Sequence, residues 1–398
     1  MNSQTSSHSQ NPRRVYFDNN ATTPIASEIR ENISVWLEAW GNPSSIHWAG
    51  RAPKNILRES HQRLAQGFNV HPLEIIFTSG GSESNNTILK TIFDVETQKN
   101  KKPFFITTTI EHPSVLKTLQ HLESLGARLE VINISREGDF DWVTFEKLLL
   151  EKPSLVSVMY ANNETGLILP IKKITEMAQA AGALVHTDAV QAMGKIPLDL
   201  QDLGVDYASF SAHKFYALKG TGILYCRRGS PLKPLILGGA QERFRRGGTE
   251  NVLGLFAINE MAKNLETVLE KGETVRQLRD HFEKRLLEIS GVSVTHKEGH
   301  RLANTSSVVI EGTDGETLLM SLDLKGFAVS TGAACSSGNP EPSPVLLAIG
   351  LSREEAQSSL RVSLGWQNTL EEVNALVEEL KSIVDRLRKI KLAEKDRK

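Results

Sequence analysis

Val205-Asp-Tyr-Ala-Ser-Phe-Ser-Ala-His-Lys-Phe-Tyr-Ala-Leu-Lys219 runs near the middle of the chain, and the remaining sequence can be laid out around it. Asp206 to Phe210 alternates polar and apolar residues as a strand does. The polar turn Ser211-Ala212-His213-Lys214 follows, and Gly220-Thr221-Gly222 opens a second apolar run, Ile223 to Cys226. Lys214 therefore falls on a connection between two strands. Beside His213 and under Phe215 and Tyr216, it is badly placed for a hydrated ammonium and well placed to lose its proton and attack a carbonyl.

Upstream, the strand Ala183-Leu-Val-His-Thr-Asp188 ends in an acid and is followed by Gln191. An acid at a strand end, with a loop lysine about one strand and helix later, is the pair that a pyridoxal-phosphate enzyme needs. The lysine holds the aldehyde as a Schiff base, and the carboxylate keeps the pyridine nitrogen protonated so that the ring accepts electrons. Alone, Lys214 would be a surface residue and Asp188 a helix cap. The constellation outweighs those readings.

A chain of 398 residues exceeds one ordinary domain, so two are expected. With 39% hydrophobic and 23% charged residues and a net charge of −1, the composition is that of a soluble globular protein, with no demand for nucleic acid or an anionic membrane. No apolar run approaches a membrane span, and Met1 to Pro12 is polar without an apolar h-region. The expectation is a cytoplasmic protein with a disordered tail over residues 1–14. Two cysteines, Cys226 and Cys335, exclude a disulfide framework and a CxxC metal site, and no metal is expected. Cys226 ends a strand and reads as a small core residue.

Along the chain, Tyr16 to Pro24 reads as a short strand running into turn signals. A helix is expected from Ile25 to about Trp40 and another from about Ala49 to Gly67. Strand and helix then alternate at the pace of βαβ units, with strands at Glu74–Thr78, Phe104–Thr109, Arg128–Ile132, Leu155–Tyr160, Leu184–Thr187 and Tyr207–Phe210. From about Glu250 the pattern changes to one long helix through Val275 to Ile289. Strands around Val292–His296 and Ser306–Ile310 come next, and a charged helix from Leu370 to about Leu392 closes the chain. This shift marks a second, smaller α+β domain.

Several further stretches carry chemistry. Phe77-Thr-Ser-Gly-Gly-Ser-Glu-Ser-Asn-Asn86 joins a strand to a helix through two glycines and hydroxyl residues, a turn that aims backbone N–H groups at an anion. Its ordinary reading is an N-cap at Ser82. Glu111-His112-Pro113-Ser114 and Asn162-Asn163-Glu164-Thr165-Gly166 follow strands at the edge where open α/β sheets place ligands. His112 suits stacking on a planar cofactor, and Asn163 suits a phenolic oxygen or a carboxylate. Arg361, in Leu360-Arg-Val-Ser-Leu-Gly365, offers a planar fork for a carboxylate. Cys335, in Ser330-Thr-Gly-Ala-Ala-Cys-Ser-Ser-Gly-Asn-Pro340, has small polar neighbours and reads as a loop nucleophile.

Taken in order, Asp-Asn-Asn-Ala-Thr-Thr-Pro, Gly-Asn-Pro-Ser-Ser-Ile-His, Glu-Ser-Asn-Asn, Glu-His, Asn-Asn-Glu-Thr-Gly, His-Thr-Asp-Ala-Val-Gln, Ser-Ala-His-Lys, Gly-Gly-Thr-Glu-Asn and Arg-x-Ser-x-Gly resemble the pyridoxal-phosphate cysteine desulfurases, NifS-like and IscS-like, of the class V aminotransferase group. The resemblance spans about Tyr16 to Gly365. It implies an α/β architecture of PLP fold type I, with a mostly parallel seven-stranded sheet between helices. The large PLP-binding domain would span residues 15–255, its N-terminal segment contributing to the smaller one. Residues 256–398 would form a smaller α+β domain bearing the cysteine loop.

The resemblance also implies roles. Lys214 would be the Schiff-base lysine, Asp188 the partner of the pyridine nitrogen, and His112 the stacking residue that also moves protons. Gln191 would bond the ring oxygen, and Gly81, Ser82, Ser211 and His213 would hold the phosphate of pyridoxal 5'-phosphate. Thr249 would reach that phosphate from the other subunit of a homodimer. Asn163 and Arg361 would hold the carboxylate of L-cysteine, and Cys335 would take its sulfur and hand it to an acceptor protein. Selenocysteine lyase, another class V enzyme and a catalytically idle sulfur-relay protein are the competing readings. The sequence departs from the usual pattern at Ser336 to Asn339, Pro344, Ala217-Leu218 and Gly247.

Overall fold

The chain enters with a two-residue strand, β1 (Val15–Tyr16), and then lays down β2 (Ile75–Thr78), β3 (Phe104–Thr108), β4 (Arg128–Ile132), β5 (Leu155–Ser157), β6 (Leu184–Asp188), β7 (Tyr207–Ser211) and β8 (Gly222–Cys226). Four more follow: β9 (Val292–Val294), β10 (Thr305–Ile310), β11 (Phe327–Ala328) and β12 (Ser359–Ser363). The structure is a computed structural model that describes residues 14–263, 265–331 and 341–395. The tail over residues 1–13 and the loop segment holding Cys335 lie outside the described residues.

Strands β2 to β8 form one seven-stranded sheet in the order β2-β8-β7-β6-β5-β3-β4. Every pair is parallel except those made by β8, which runs against both β2 and β7. Helices cover both faces. One face builds a core from Ile106, Val156, Val185, Phe210, Phe215 and Ile258, and the other from Ile76, Leu89, Phe105, Leu119, Tyr207 and Leu224. Cys226 belongs to the second of these and is buried.

Double coverage changes how the central strands are read. The alternation in Asp206 to Phe210 predicts a half-exposed strand, yet every residue of β7 is buried. The polar positions are paired inside instead. His186 on β6 bonds the hydroxyl of Ser157 on β5 through Nδ1 at 2.8 Å and that of Ser209 on β7 through Nε2 at 3.0 Å. Burial pushes this imidazole down to about 3, so it bridges as a neutral ring.

A second core lies around the three-stranded antiparallel sheet β12-β10-β9. Phe282, Leu286, Val308, Ile310, Leu322, Leu360, Val362, Leu376, Leu380 and Val384 fill it. The helices Leu265–Leu286, Gly315–Leu324 and Leu370–Lys395 supply its outer layer. Val15 and Phe17 join this core because β1 pairs in parallel with β11.

The long helix expected after Glu250 is described as Val252–Lys263 and Leu265–Leu286, on either side of position 264, which lies outside the described residues. Their residues are shared between the cores: Leu255, Ile258, Met261 and Val268 pack under the large sheet, and Val275, Leu278 and Phe282 pack in the second core. The first helix is shorter than its sequence suggests, Ser27–Leu37, leaving Trp40 71% exposed. Among the described residues no helix is long and apolar enough to cross a membrane.

Candidate active site

The parallel arrangement brings the carboxyl ends of β2, β3, β5, β6 and β7 to one edge, the edge at which α/β sheets bind ligands. A cavity of about 320 Å³ opens there. Gly81, Ser82, His112, Asn163, Asp188, Gln191, Ser211, His213, Lys214 and Arg361 all line it. One described residue among those expected does not. Thr249 is exposed and is not among the residues lining the cavity, and Cys335 lies outside the described residues.

One corner is built for an anion. The helix Gly81–Gln98 starts at the cavity wall, and its N-cap is Gly80, not Ser82. Gly80 has no side chain with which to cap, so the first-turn N–H groups keep their hydrogen-bonding capacity and their share of the helix dipole. Gly81 is required by space, since a Cβ there would meet Val190 Cγ2 at 2.6 Å. Gly222 is equally constrained: a Cβ would lie 2.4 Å from the Cα of Gly80, so the start of β8 braces this turn. The hydroxyls of Ser82 and Ser211 add donors. His213 bonds Thr22 Oγ1 through Nδ1 at 3.1 Å, and burial, then the charges of Lys214 and Lys219, push it down to about 4.

A carboxylate faces the cavity from the end of β6. Asp188 is held by two donors, Nδ2 of Asn85 at 2.7 Å and the backbone N–H of Val190 at 3.0 Å. Asn85 also donates to Ser114 Oγ at 2.9 Å, which in turn lies 2.8 Å from Nδ1 of His112. That Nδ1 accepts from the backbone N–H of Ser114 at 3.1 Å, so the ring proton of neutral His112 sits on Nε2. Burial lowers the histidine's affinity for a second proton, against the opposing pull of Asp188.

The third wall is cationic. Lys214 sits at the end of the one-turn helix Ala212–Lys214 between β7 and β8. Phe215 and Tyr216 do not cover it; they are buried beneath the large sheet and anchor the turn. Tyr216 takes the left-handed φ of +67°, with its N–H held by Thr23 Oγ1 at 2.7 Å. Lys214 Nζ donates to the carbonyls of Asn20 and Ala21, both at 2.7 Å. Burial first, then the charge of Arg361, lower its pKa to about 8. At pH 7.5 roughly a quarter of such a lysine is neutral amine, against about 0.1% for an ordinary one. Arg361 is pinned by Asp18 Oδ1 at 2.7 Å and by the carbonyl of Asn163 at 3.1 Å, while its Nε is buried without a partner among the described residues.

Sequence reading treats Asn20 only as a turn signal and is silent on Lys195. Asn20 is the junction of the site. Its carbonyl accepts from Lys214 and from Gln191 Nε2, its Nδ2 donates to the carbonyl of Asn163 and to Thr305, and its N–H donates to Ser363. Lys195 bridges Gln191 and Asn20 from behind the wall. Glu111, next to His112, is buried with one oxygen accepting from Thr108 at 2.6 Å and from the N–H of Met159 at 2.8 Å, and the other without a partner among the described residues. Burial pushes it up to about 8, so it carries a proton at neutral pH.

The aminotransferase class-V family matches residues 15–376. A cysteine desulfurase IscS of Dictyoglomus turgidum is 42% identical over 391 residues, covering 95% of this chain and 96% of the relative. This chain belongs to the class-V aminotransferases, among their cysteine desulfurases. The class-V fold is shared with a solved NifS-like protein, 39% identical, with a TM-score of 0.87 over 94% of this chain and 100% of that one. A solved structure described as SspA in complex with cysteine is 30% identical, with a TM-score of 0.77 over 90% of this chain and 100% of that one. Members of the class are pyridoxal-phosphate enzymes, and the mixed sheet described above is the architecture they share.

Proposed function

We propose that this enzyme converts L-cysteine to L-alanine in the cavity at the sheet edge and takes the sulfur onto Cys335 as a persulfide. The supporting observation is that one space collects a lysine of depressed pKa, a doubly held carboxylate, a neutral histidine and an uncapped helix start. These fit pyridoxal 5'-phosphate: the helix start with Ser82, Ser211 and His213 suits its phosphate, Asp188 its ring nitrogen, Gln191 its ring oxygen and Lys214 its aldehyde. Bound there, the cofactor supplies a sink for the electron pair left when the substrate's α-proton departs.

The chain's own groups do the rest. Lys214, partly neutral near pH 7.5, serves as nucleophile and then as the base that moves the proton. His112 presents an Nε2–H donor beside Asp188. Arg361 and Asn163 orient the substrate carboxylate, Asp18 fixing the arginine's plane. Backbone hydrogen bonds of 2.7 and 3.1 Å join Arg361 to Ser330, five residues before Cys335 along the chain. The thiolate of Cys335 attacks the substrate sulfur. An S–S bond forms, the carbon–sulfur bond breaks, and with proton transfer the products are alanine and a persulfide that an acceptor protein collects.

A homodimer completes this reading. Thr249 follows Arg246, which is tied to Glu83 at 2.9 Å in the first turn of the anion-binding helix. It would serve the site of the second copy.

The test is the product pair. Purified enzyme given L-cysteine and a thiol reductant is expected to release alanine and sulfide in equal amounts. Cys335→Ala should keep the visible cofactor band and lose sulfide release by at least about 10³-fold. Sulfide release near the parent rate from that variant would remove the cysteine from the reaction.

A further inference from the structure

Gln191 faces the cavity with an amide whose two ends are chemically opposite, one accepting and one donating. Which end meets a ligand is set by the groups behind it. Oε1 of Gln191 accepts from Lys195 Nζ, and Nε2 donates to the carbonyl of Asn20 at 2.9 Å. Turned over, the amide would put NH₂ against the lysine nitrogen and oxygen against a carbonyl oxygen. The bond to the Asn20 carbonyl would be lost and replaced by two facing oxygens, and Lys195 could no longer donate to the amide.

Lys195 is itself fixed by a second contact, to Asn20 Oδ1 at 3.0 Å. The sense of that amide is settled independently, because Asn20 Nδ2 donates to Thr305 Oγ1 at 2.8 Å and to the carbonyl of Asn163 at 3.0 Å, while Asn304 also donates to Oδ1 at 3.0 Å. Among the described residues Nε2 of Gln191 has one acceptor for its two N–H bonds, so one donor is left for the cavity. The arrangement does not require a charged lysine. Burial, with Lys214 and Arg361 nearby, holds Lys195 well below its ordinary pKa, and a neutral amine still has the two N–H bonds that Oε1 and Oδ1 accept.

We propose that Lys195 is a positioning residue that locks the amide sense of Gln191, so that the cavity offers an N–H donor to an oxygen on the cofactor ring and never a carbonyl. The proposal rests on the reading that Gln191 faces that oxygen. A donor here favours the deprotonated oxygen and lowers its pKa.

The experiment is a double-mutant cycle, read by titrating cofactor-free protein with pyridoxal 5'-phosphate and by the pH midpoint of the visible absorption band. Lys195→Met should weaken cofactor binding about tenfold and move the midpoint upward. Gln191→Ala should do the same, and adding Lys195→Met to Gln191→Ala should change neither quantity further. Equal losses from Lys195→Met in both backgrounds would overturn the locking role while leaving Gln191 in place. A Gln191→Ala variant with parental affinity and midpoint would instead remove the reading of Gln191, and the lock with it. Should Lys195→Met fail to fold, Lys195→Arg, whose guanidinium only donates, should stay within about threefold of the parent; a loss as large as that of Gln191→Ala would overturn the proposal.

Discussion

Beside the second core, Arg301 meets Glu283 through two parallel hydrogen bonds of 2.8 and 3.0 Å, with the side chains only 4% and 6% exposed. At the cavity, Lys214, Lys195 and Arg361 crowd together, and among the described residues Asp18 is the carboxylate in direct contact with any of them. Both places hide cationic groups. The first matches charge to charge in fork geometry through both terminal nitrogens, with Arg301 Nε left without a partner among the described residues. In the second, Arg361 is paired with Asp18, while Lys214 and Lys195 donate to carbonyl and amide oxygens. Burial, then the charge of Arg361, lower Lys214 toward neutrality. The difference separates a charge kept for the fold from charges kept for chemistry.

The largest effect expected from this contrast is at Lys214. Lys214→Ala should abolish the visible band and reduce turnover by at least about 10⁴-fold, with the urea midpoint close to the parent's, since it removes one cation from among three. A variant retaining a borohydride-reducible bond to the cofactor would erase the distinction. Arg301→Met should behave in the opposite way. It strands Glu283 in a buried position and should cost about 3–5 kcal/mol in urea unfolding while leaving the cofactor band where it was. A parental midpoint would mean the pair contributes nothing to the fold.

The smallest effect is at Glu111, which belongs to neither class: a buried acid kept neutral beside the site. Folding raises its pKa from 4.5 to about 8, so the folded state holds a proton that the unfolded state releases. The stabilisation is fully present below pH 4.5 and is lost as the pH rises through 8. Glu111→Gln keeps the oxygen that accepts from Thr108 and Met159 and cannot ionise. Its melting temperature should match the parent at pH 5 and exceed it by a few degrees at pH 9. Parallel melting curves across that range would show that Glu111 ionises freely.

The residues legible in the sequence share one property. Lys214, Asp188, His112 and Ser82 each follow closely on a strand's end, and a parallel sheet delivers all such ends to one edge, so local reading suffices to gather them. What was illegible depends on approach between distant segments. Asn20 gains its meaning from Thr305 and Ser363, and Asn85 from Asp188. Lys195 lies four positions after Gln191, but in a string of turns where that spacing predicts no contact. Polar residues inside doubly covered strands mislead in the same way: Ser157, His186 and Ser209 look like an exposed face until their neighbouring strands are known.

The junction at Asn20 also sets a timetable. Its N–H is bonded to Ser363, 343 positions later in the chain. At roughly 5–20 residues per second of synthesis, those two groups are made on the order of tens of seconds apart. Through that interval the carbonyl that will receive Lys214 belongs to an unfinished segment, and a growing chain that has already made Lys214 still lacks Arg361. The part of the Lys214 pKa shift that comes from Arg361 therefore arises only once nearly the whole distance to Ser363 has been made.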